Sequence, residues 1–449
     1  MDASLTTMSS QLPAFSRPMQ SSSVITPVDG CTNTSNILHE NVPANATNID
    51  EVDSLIAKQM MKLSVEEREK AYMDLHAVKN EDPIETTEAI QAGLDSLNDA
   101  IENLQDKHAY DLAWSMNSEY VENPSFRLAF LRADSFHARR AALRIVRHFQ
   151  VKLDLFGEDK MVTEIVQDDL DRETMDAMYC GRGQWLDAKD RAGRHIIVAF
   201  YGDQFSTKAT LQRGFYNGMN ATRNSDAQIR GFVVVIYLLA RPSAQQDIEK
   251  HWSFVRLTDG VPARIEAIHF CHDGQISQEL FAVSKAALAP FVKTRTRTHS
   301  GTHDEIMSSL AGFGIASETI PVAEGCKITN LEAYHQRLIE MRSVERRQQP
   351  SREKVSVPSR FDILFGKGTP FQKHPGNVQL RSLVSKWRKE YEKAKKGQKR
   401  HITQEIVQTI QQNSGFFLRP DGDSWVRAED DVARQKVSAL FRTARLNSR

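Results

Sequence analysis

The chain has 449 residues, 40% of them apolar and 26% charged, which is enough for two or three domains with real cores. Its 58 basic and 58 acidic side chains cancel, but residues 351–449 carry 21 Lys and Arg against 10 Asp and Glu, a net charge of +11, and residues 1–350 carry 37 against 48, a net charge of −11. Four scattered cysteines, no basic and apolar leader, and no apolar run near the roughly 20 residues of a membrane span lead us to expect a soluble, cytoplasmic or nuclear protein without disulfides.

The first part of the chain divides into a polar segment and a helical region. Residues 1–48 are rich in Ser, Thr, Asn and Pro and have no apolar period, which predicts disorder. Residues 49–157 place Leu, Ile, Met and Ala three and four positions apart, which predicts a helical lead-in, and Asn123-Pro124 is typical of a helix start.

Residues 158–328 alternate strand and helix patterns, which predicts an α/β domain with a mostly parallel sheet. The run Phe232–Leu239 is apolar on both faces, as a central strand requires. The other strands are predicted at 194–200, 265–271 and 294–299, and the helices at 207–229, 244–257 and 275–292.

The remainder is a charged helix and linker over 329–358, followed by a basic domain over 359–449. We expect that domain to be small and α+β, in the order loop, helix, helix, hairpin, helix. Asn377 is placed to cap its first helix, and Pro-Asp-Gly-Asp at 420–423 is typical of a hairpin turn.

Several stretches of the central region resemble CRAL-TRIO (Sec14-like) domains. They are AFLRADSFHARRAALRIVRHF (129–149), DRAGRHIIVAF (190–200) and VPARIEAIHFCHD (261–273), with His195 where that family usually has Pro. The resemblance implies a lipid-binding cavity between the sheet and a gate helix at 275–292. The side chains that would line it are Val198, Phe200, Val234, Ile236, Leu280, Val283 and Phe291. Plain core packing, or a scaffold that binds only proteins, explains the same apolar pattern.

Thr294 to His299 alternate strictly, so that Arg295, Arg297 and His299 share one face of a strand. Such a row suits a phosphate headgroup or an anionic membrane surface. A solvated edge strand kept soluble by its charges is the alternative.

Catalytic and metal-binding patterns are absent from the sequence. No G-x-S-x-G, H-E-x-x-H or P-loop motif is present, and no nucleophile has an evident base. His269, Cys271 and His272 are crowded, but neighbours along a strand point to opposite faces, which disfavours a shared metal. We expect no enzyme activity, no cofactor and no metal.

The stretch FDILFGKGTPFQKHPGN (361–377) suggests a phosphate cradle, because a strand leads into glycines with a lysine and then a helix start. Lys367 and Lys373 would hold the phosphate. The spacing differs from that of a P-loop, so a compact corner that needs glycine is the alternative.

The whole segment 359–449 resembles a domain of unknown function known chiefly from diatom-type algal proteins. Its signature is Leu-Phe-Gly-[Arg/Lys]-Gly followed by His-Pro-Gly-Asn, here Leu364 to Gly368 and His374 to Asn377. The lysine-rich helix end, the Phe416 to Leu418 strand and Trp425 fit the same pattern. The resemblance implies no function.

The basic side chains of this domain indicate an anionic partner. Besides Lys367 and Lys373 they are Arg381, Arg388, Lys389, Lys393, Lys396, Lys399 and Arg400. If the domain folds independently and gathers them on one patch, nucleic acid or an acidic protein would bind there. The sequence therefore predicts a non-enzymatic adaptor; a lipid-binding or lipid-transfer protein at anionic membranes is the alternative.

Overall fold

A computed structural model describes residues 60–78, 85–201, 205–238, 257–272, 294–323, 327–349 and 353–446, together with Ser54, Ala57 and Lys58. Helices and strands are numbered below over these residues. All of them belong to one unit, Val42–Arg449. The segment predicted to be disordered, residues 1–48, lies outside the described residues. The described part of the chain contains no helix of the length and apolarity needed to cross a membrane.

The described part of residues 49–157 is helical, in agreement with the apolar spacing there. Its helices are α1 (Val65–Leu75), α2 (Thr87–Glu102), α3 (His108–Met116), α4 (Ser118–Val121), α5 (Pro124–Ala133) and α6 (Ala138–Phe156). The side-chain oxygen of Asn123 accepts a hydrogen bond from the Phe126 amide at 3.1 Å, which is the predicted cap of α5. Fully buried side chains such as Leu97, Phe130 and Ile145 form the core between these helices.

The central region contains the predicted, mostly parallel sheet. Its five strands are β1 (Gly183–Lys189), β2 (His195–Tyr201), β3 (Phe232–Leu238), β4 (Ile265–His272) and β5 (Thr296–Ser300). They lie in the order in which they occur in the chain; β1 is antiparallel to β2, and the other neighbours are parallel. The strand predicted to be central, β3, occupies the middle of the sheet, and this explains why it is apolar on both faces.

Further helices occur before, between and after the strands of this sheet in the chain. They are α7 (Arg172–Tyr179), α8 (Thr207–Ala221), α9 (Ser225–Arg230), α10 (His303–Gly312) and α11 (Leu331–Gln348), with a two-stranded ribbon of β6 (Val322–Ala323) and β7 (Lys327–Ile328) before α11. The helices predicted at 244–257 and 275–292 lie outside the described residues, apart from Leu257.

The turn between β1 and β2 is held by two residues of the stretch that resembles CRAL-TRIO domains. One carboxylate oxygen of Asp190 accepts a hydrogen bond from the Arg194 amide at 2.9 Å, and the other accepts one from the Arg194 guanidinium at 2.7 Å. Gly193 in this turn has a φ of +83°, which favours glycine. Asp190 and Arg194 therefore have a structural role in this chain.

The basic domain has the predicted order of elements, with three short elements added. Its helices are α12 (Thr369–Lys373), α13 (Pro375–Lys393), α14 (Lys396–Gln412) and α15 (Asp430–Leu446). Its sheet has the order β8-β11-β10-β9, formed by β8 (Lys354–Val355), β9 (Ile363–Leu364) and the hairpin of β10 (Phe417–Asp421) and β11 (Ser424–Arg427). Buried side chains of all three long helices form its core.

The stretch before this domain is part of the fold, although the sequence predicts a polar linker there. Val355 is fully buried and pairs with Trp425 of β11. The Ser356 amide donates a hydrogen bond to the carbonyl oxygen of Asp168 at 2.9 Å. Residues 354–356 therefore connect the sheet of the basic domain to the central region.

Candidate functional site

The signature LFGKG…HPGN forms a folded corner in which Asn377 is the central residue. The side-chain oxygen of Asn377 accepts from the Leu364 amide at 3.0 Å. Its side-chain nitrogen donates to the carbonyl oxygens of Leu364 at 3.0 Å and Phe371 at 2.8 Å. Asn377 is buried inside the first turn of α13, which begins at Pro375. The prediction that Asn377 caps this helix is therefore wrong, because its side chain bonds to the preceding loop.

The glycines of the corner are required by close packing. A side chain at Gly366 would overlap the ring of Phe371, and one at Gly376 would overlap the backbone carbonyl of Asp362. Gly368 has a φ of +96°, where glycine is strongly preferred. Lys367 and Lys373 are exposed beside α12, a helix of only five residues. The geometry favours the compact corner over the phosphate cradle.

The exposed cations of the basic domain divide between the two ends of α13. This helix has 19 residues and is therefore about 28 Å long. Lys367 and Lys373 precede its N-terminus, and Arg381 in its second turn donates to the Gln372 carbonyl at 2.7 Å. The other predicted cations lie toward the turn into α14. The nine predicted side chains are therefore spread along the length of α13 rather than gathered at one end of it.

The larger group surrounds the turn between α13 and α14, and we name it the basic corner. It adds two lysines to the prediction and consists of Lys386, Arg388, Lys389, Lys393, Lys395, Lys396, Lys399 and Arg400. All eight are exposed or half-exposed. Residues 386–400 contain only two acidic side chains, Glu390 and Glu392, so that their net charge is +6. Glu392 pairs with Arg388 at 3.0 Å.

The basic corner places positive charge at the start of a long helix, where positive charge is unfavourable. The 17-residue helix α14 begins at Lys396 and has no acidic residue in its first turn. A cation near a helix N-terminus costs about 0.3–1 kcal/mol, because the helix dipole is positive there. The free amides of that turn and the neighbouring lysines would both be stabilised by a bound anion.

The four described side chains of the predicted lipid pocket lie on two opposite faces of the sheet. Val198 and Phe200 belong to the core on the face that packs against α10. Val234 and Ile236 belong to the core on the other face. Val198 pairs with Val235, so that it shares a face of the sheet with Val235 and not with Val234. One cavity lined by all four is therefore ruled out; Leu280, Val283 and Phe291 lie outside the described residues.

The predicted anion row on β5 is largely buried. Arg295 is 4% exposed and pairs with Asp74 of α1 at 2.8 Å. His299 is 3% exposed, and only Arg297 faces solvent. Neither the headgroup row nor the fully solvated edge strand describes this arrangement, because α1 and α10 cover this face of β5.

His299 belongs to a buried chain of polar side chains. Its Nε2 lies 2.9 Å from Nδ1 of His269, and its Nδ1 lies 2.8 Å from the hydroxyl of Ser309. Burial lowers the pKa of His269 to about 3, and the neighbouring His299, Arg194 and His76 act in the same direction. Burial likewise lowers the pKa of His299 to about 4. Both rings are neutral at physiological pH.

We expect the buried histidines to make the protein less stable in mild acid. Burial also lowers the pKa of His148 to about 3. Below pH 6.5 the unfolded chain binds protons that folded His148 and His269 do not, so each removes about 1.4 kcal/mol of unfolding free energy per pH unit. Denaturant unfolding between pH 7.5 and pH 5 measures this slope. His269→Gln should reduce the dependence of the unfolding free energy on pH. The control His401→Gln changes an exposed histidine and should leave that dependence as in the native protein. Equal slopes in the native protein and both variants would contradict a lowered pKa of His269.

A buried ion cluster, which the sequence analysis did not identify, connects the central region to the basic domain. We name Asp168, Arg342, Arg346 and Asp362 the junction cluster. Nε of Arg346 bonds to Asp168 at 2.8 Å, and its Nη1 bonds to Asp362 at 2.7 Å. All four side chains are at most 6% exposed. Burial favours the neutral form of Asp168, but Arg342 and Arg346 outweigh it and lower the pKa of this carboxyl.

Further polar contacts continue the junction cluster on both sides. Asp362 also accepts hydrogen bonds from the amides of Ser359 at 2.6 Å and Phe416 at 2.7 Å. Glu345, next to Arg346, accepts from the Tyr216 hydroxyl at 2.8 Å and from the Gln167 amide at 3.0 Å. In the sequence, only the charged helix predicted at 330–347 hinted at this cluster. Its buried residues include Arg342 and Arg346, at positions where the buried face of a helix usually has apolar side chains.

The comparisons with known proteins identify one part of the chain. Residues 362–443 match the family described as a domain of unknown function, DUF6824. A search of curated proteins finds no match. No match supports the resemblance of the central region to CRAL-TRIO domains, which stays a prediction. The match begins at Asp362 of the junction cluster and contains the folded corner and the basic corner, so that the basic domain is the part of this chain that is similar to the DUF6824 family.

Proposed function

We propose that the protein is a non-enzymatic adaptor whose basic corner binds the phosphate backbone of nucleic acid. The observation that carries the proposal is the concentration of eight cations in residues 386–400, around the start of α14, a segment with only two carboxylates. The cations at the start of α14 are unfavourable for that helix, so a binding role explains them better than solubility does. Each phosphate contact would add affinity that decreases with salt.

The shape of the basic corner favours nucleic acid over an acidic protein. Lys386, Lys389 and Lys393 follow one another three and four positions apart on the face of α13 opposite its buried residues, Leu380 and Val384. They present a rigid row of charge, which suits the dense and regular charge of a phosphate backbone. An acidic protein surface, including the net charge of −11 on residues 1–350, is the competing partner.

A direct titration distinguishes these partners. The native chain would be titrated into a labelled 20-base-pair DNA duplex, a single-stranded RNA of 20 nucleotides and a polyglutamate peptide of 20 residues, all at about 150 mM salt. We expect duplex or RNA to bind with a Kd on the order of 10⁻⁶–10⁻⁴ M, as for sequence-independent contacts, and more tightly than the peptide. Tighter binding of the peptide would assign the corner to an acidic protein, and no binding at all would refute the proposal.

Lipid binding by the central region is the second candidate, in line with the resemblance to CRAL-TRIO domains. The observation that favours it is an apolar sheet face formed by Ile197, Val234, Ile236, Ile268 and Phe270. The predicted gate helix would cover this face. Native mass spectrometry of the chain purified from cells, with binding to vesicles of phosphatidylcholine and phosphatidylserine, tests it. Absence of both a copurified lipid and vesicle binding would remove this candidate.

A further inference from the structure

A cleft lies at the junction between the central region and the basic domain. Its volume is about 300 Å³. Helices α7 and α11 form one wall, and residues 357–361 with Ser414 form the other. Ligand sites occur preferentially where domains meet, and this volume is at the lower end of the range for small-molecule pockets. The cleft is distinct from the basic corner, none of whose residues lines it.

Arginine side chains supply the hydrogen-bond donors of the cleft. Arg342 is 5% exposed; its Nε and Nη2 bond to Asp168 and to the Val357 carbonyl, and its Nη1 has no partner among the described residues. Arg360 is exposed on the opposite wall, and the described residues offer it no ion pair. Arg172 lies at the rim, where it pairs with the exposed Asp176 at 3.2 Å.

The carboxylates near the cleft are already occupied. Asp168 bonds to both Arg342 and Arg346, and Asp362 bonds to Arg346 and to two backbone amides. They are buried behind the arginines and leave positive edges toward the cleft. Burial raises the pKa of Tyr179, a residue of the cleft wall, and Arg342, Arg360 and Arg346 all oppose that rise. Three guanidinium groups thus act on the same hydroxyl, which indicates a positive potential in the cleft.

We propose that this cleft binds a small organic phosphomonoester. Arg360 would hold two phosphate oxygens at once with its guanidinium, and the free Nη1 of Arg342 would donate to the phosphate from the opposite wall. Met175, Ile339 and Phe361 provide apolar surface for the organic part. Since the two walls belong to the central region and the basic domain, a bound ligand would stabilise the junction between them.

The test uses the native chain and defined probes. AMP, glucose 6-phosphate and inorganic phosphate would be compared with adenosine and glucose by isothermal titration and by thermal unfolding. We expect at least one phosphate ester to bind and raise Tm, and the unphosphorylated compounds to do neither. Arg360→Gln should weaken that binding about tenfold, the usual effect of losing one charge-assisted hydrogen bond. This residue has no role in the junction cluster, so the variant should fold.

The matched control is Arg419→Gln, which removes an exposed arginine on β10 and should leave the affinity unchanged. If inorganic phosphate and the esters bind equally and both lose binding in Arg360→Gln, the anion site in the cleft is supported. The cleft would then recognise the phosphate group alone. Binding that is the same in both variants would overturn the proposal, as would no binding by any phosphate. Loss of binding in a variant that lacks Lys389 and Lys393 would also overturn it, because the phosphate would then be at the basic corner.

Discussion

Replacing Arg346 with Met should lower the free energy of unfolding by about 3–5 kcal/mol, the usual effect of breaking a buried ion pair. Arg346 bonds to Asp168 and Asp362 through four hydrogen bonds. Methionine fills much of the same volume but leaves Asp362 fully buried without a cation. Denaturant unfolding monitored by tryptophan fluorescence measures the loss.

The neighbouring Arg347 provides the control. It lies on the same helix, is exposed, and makes one long contact of 3.4 Å with the Ser414 hydroxyl. Arg347→Met should change stability by less than about 0.5 kcal/mol. Equal stability of the two variants would show that the junction cluster does not hold the domains together.

Replacing Gly376 with Ala should have the second large effect, a loss of roughly 3 kcal/mol or more, at the upper end of the range for overpacking. The added methyl group would overlap the carbonyl oxygen and carbon of Asp362. Backbone atoms cannot rotate away as a side chain can, so α13 would have to move from β9 and from the Asn377 hydrogen bonds. Thermal unfolding of the variant measures this loss.

Gly397 is the matched control, because a Cβ there meets no atom within 4 Å. It lies in the first turns of α14, where alanine has a higher helix propensity than glycine. Gly397→Ala should therefore raise stability by about 0.5–1 kcal/mol. If Gly376→Ala proved as stable as Gly397→Ala, the close contact between α13 and the Asp362 carbonyl would not exist in solution.

Local periodicity was sufficient to predict most elements of the fold. The run at Phe232, apolar on both faces, indicated a central strand, and β3 is central. The spacing of Leu380, Val384, Ile402, Ile406 and Val437 indicated the buried faces of three helices, and these residues form one core. Such patterns depend only on neighbours within one element, so one sequence is enough to recognise them.

Contacts between distant polar residues could not be predicted in this way. Asp168 and Arg346 are 178 positions apart, and neither lies in a motif that indicates a partner. The side chains predicted to line one pocket lie on both faces of the sheet for a related reason. The alternation of side chains along each strand follows from that strand's own residues. Which residues of β2 and β3 share a face depends on how the two strands pair.

The basic corner was predicted in part, and the reason is geometric. Its lysines are evident in the sequence, but the length of α13 separates them from Lys367 and Lys373. The glycine signature resembled a phosphate loop because such loops and compact corners both need residues without a side chain. Only the Asn377 hydrogen bonds and the position of Asp362 distinguish the two.

The salt dependence of duplex binding tests the proposed function most directly. The native chain would be compared with a variant carrying Gln at Lys389, Lys393, Lys396 and Arg400, and with a control carrying Gln at four other exposed cations, Lys62, Lys208, Lys327 and Arg419. Both variants lose the same charge. We predict that the slope of log K against log salt becomes shallower by about 3 to 4 in the first variant, since each phosphate contact contributes about 0.9, and does not change in the control. Equal slopes in all three proteins would contradict binding at the basic corner.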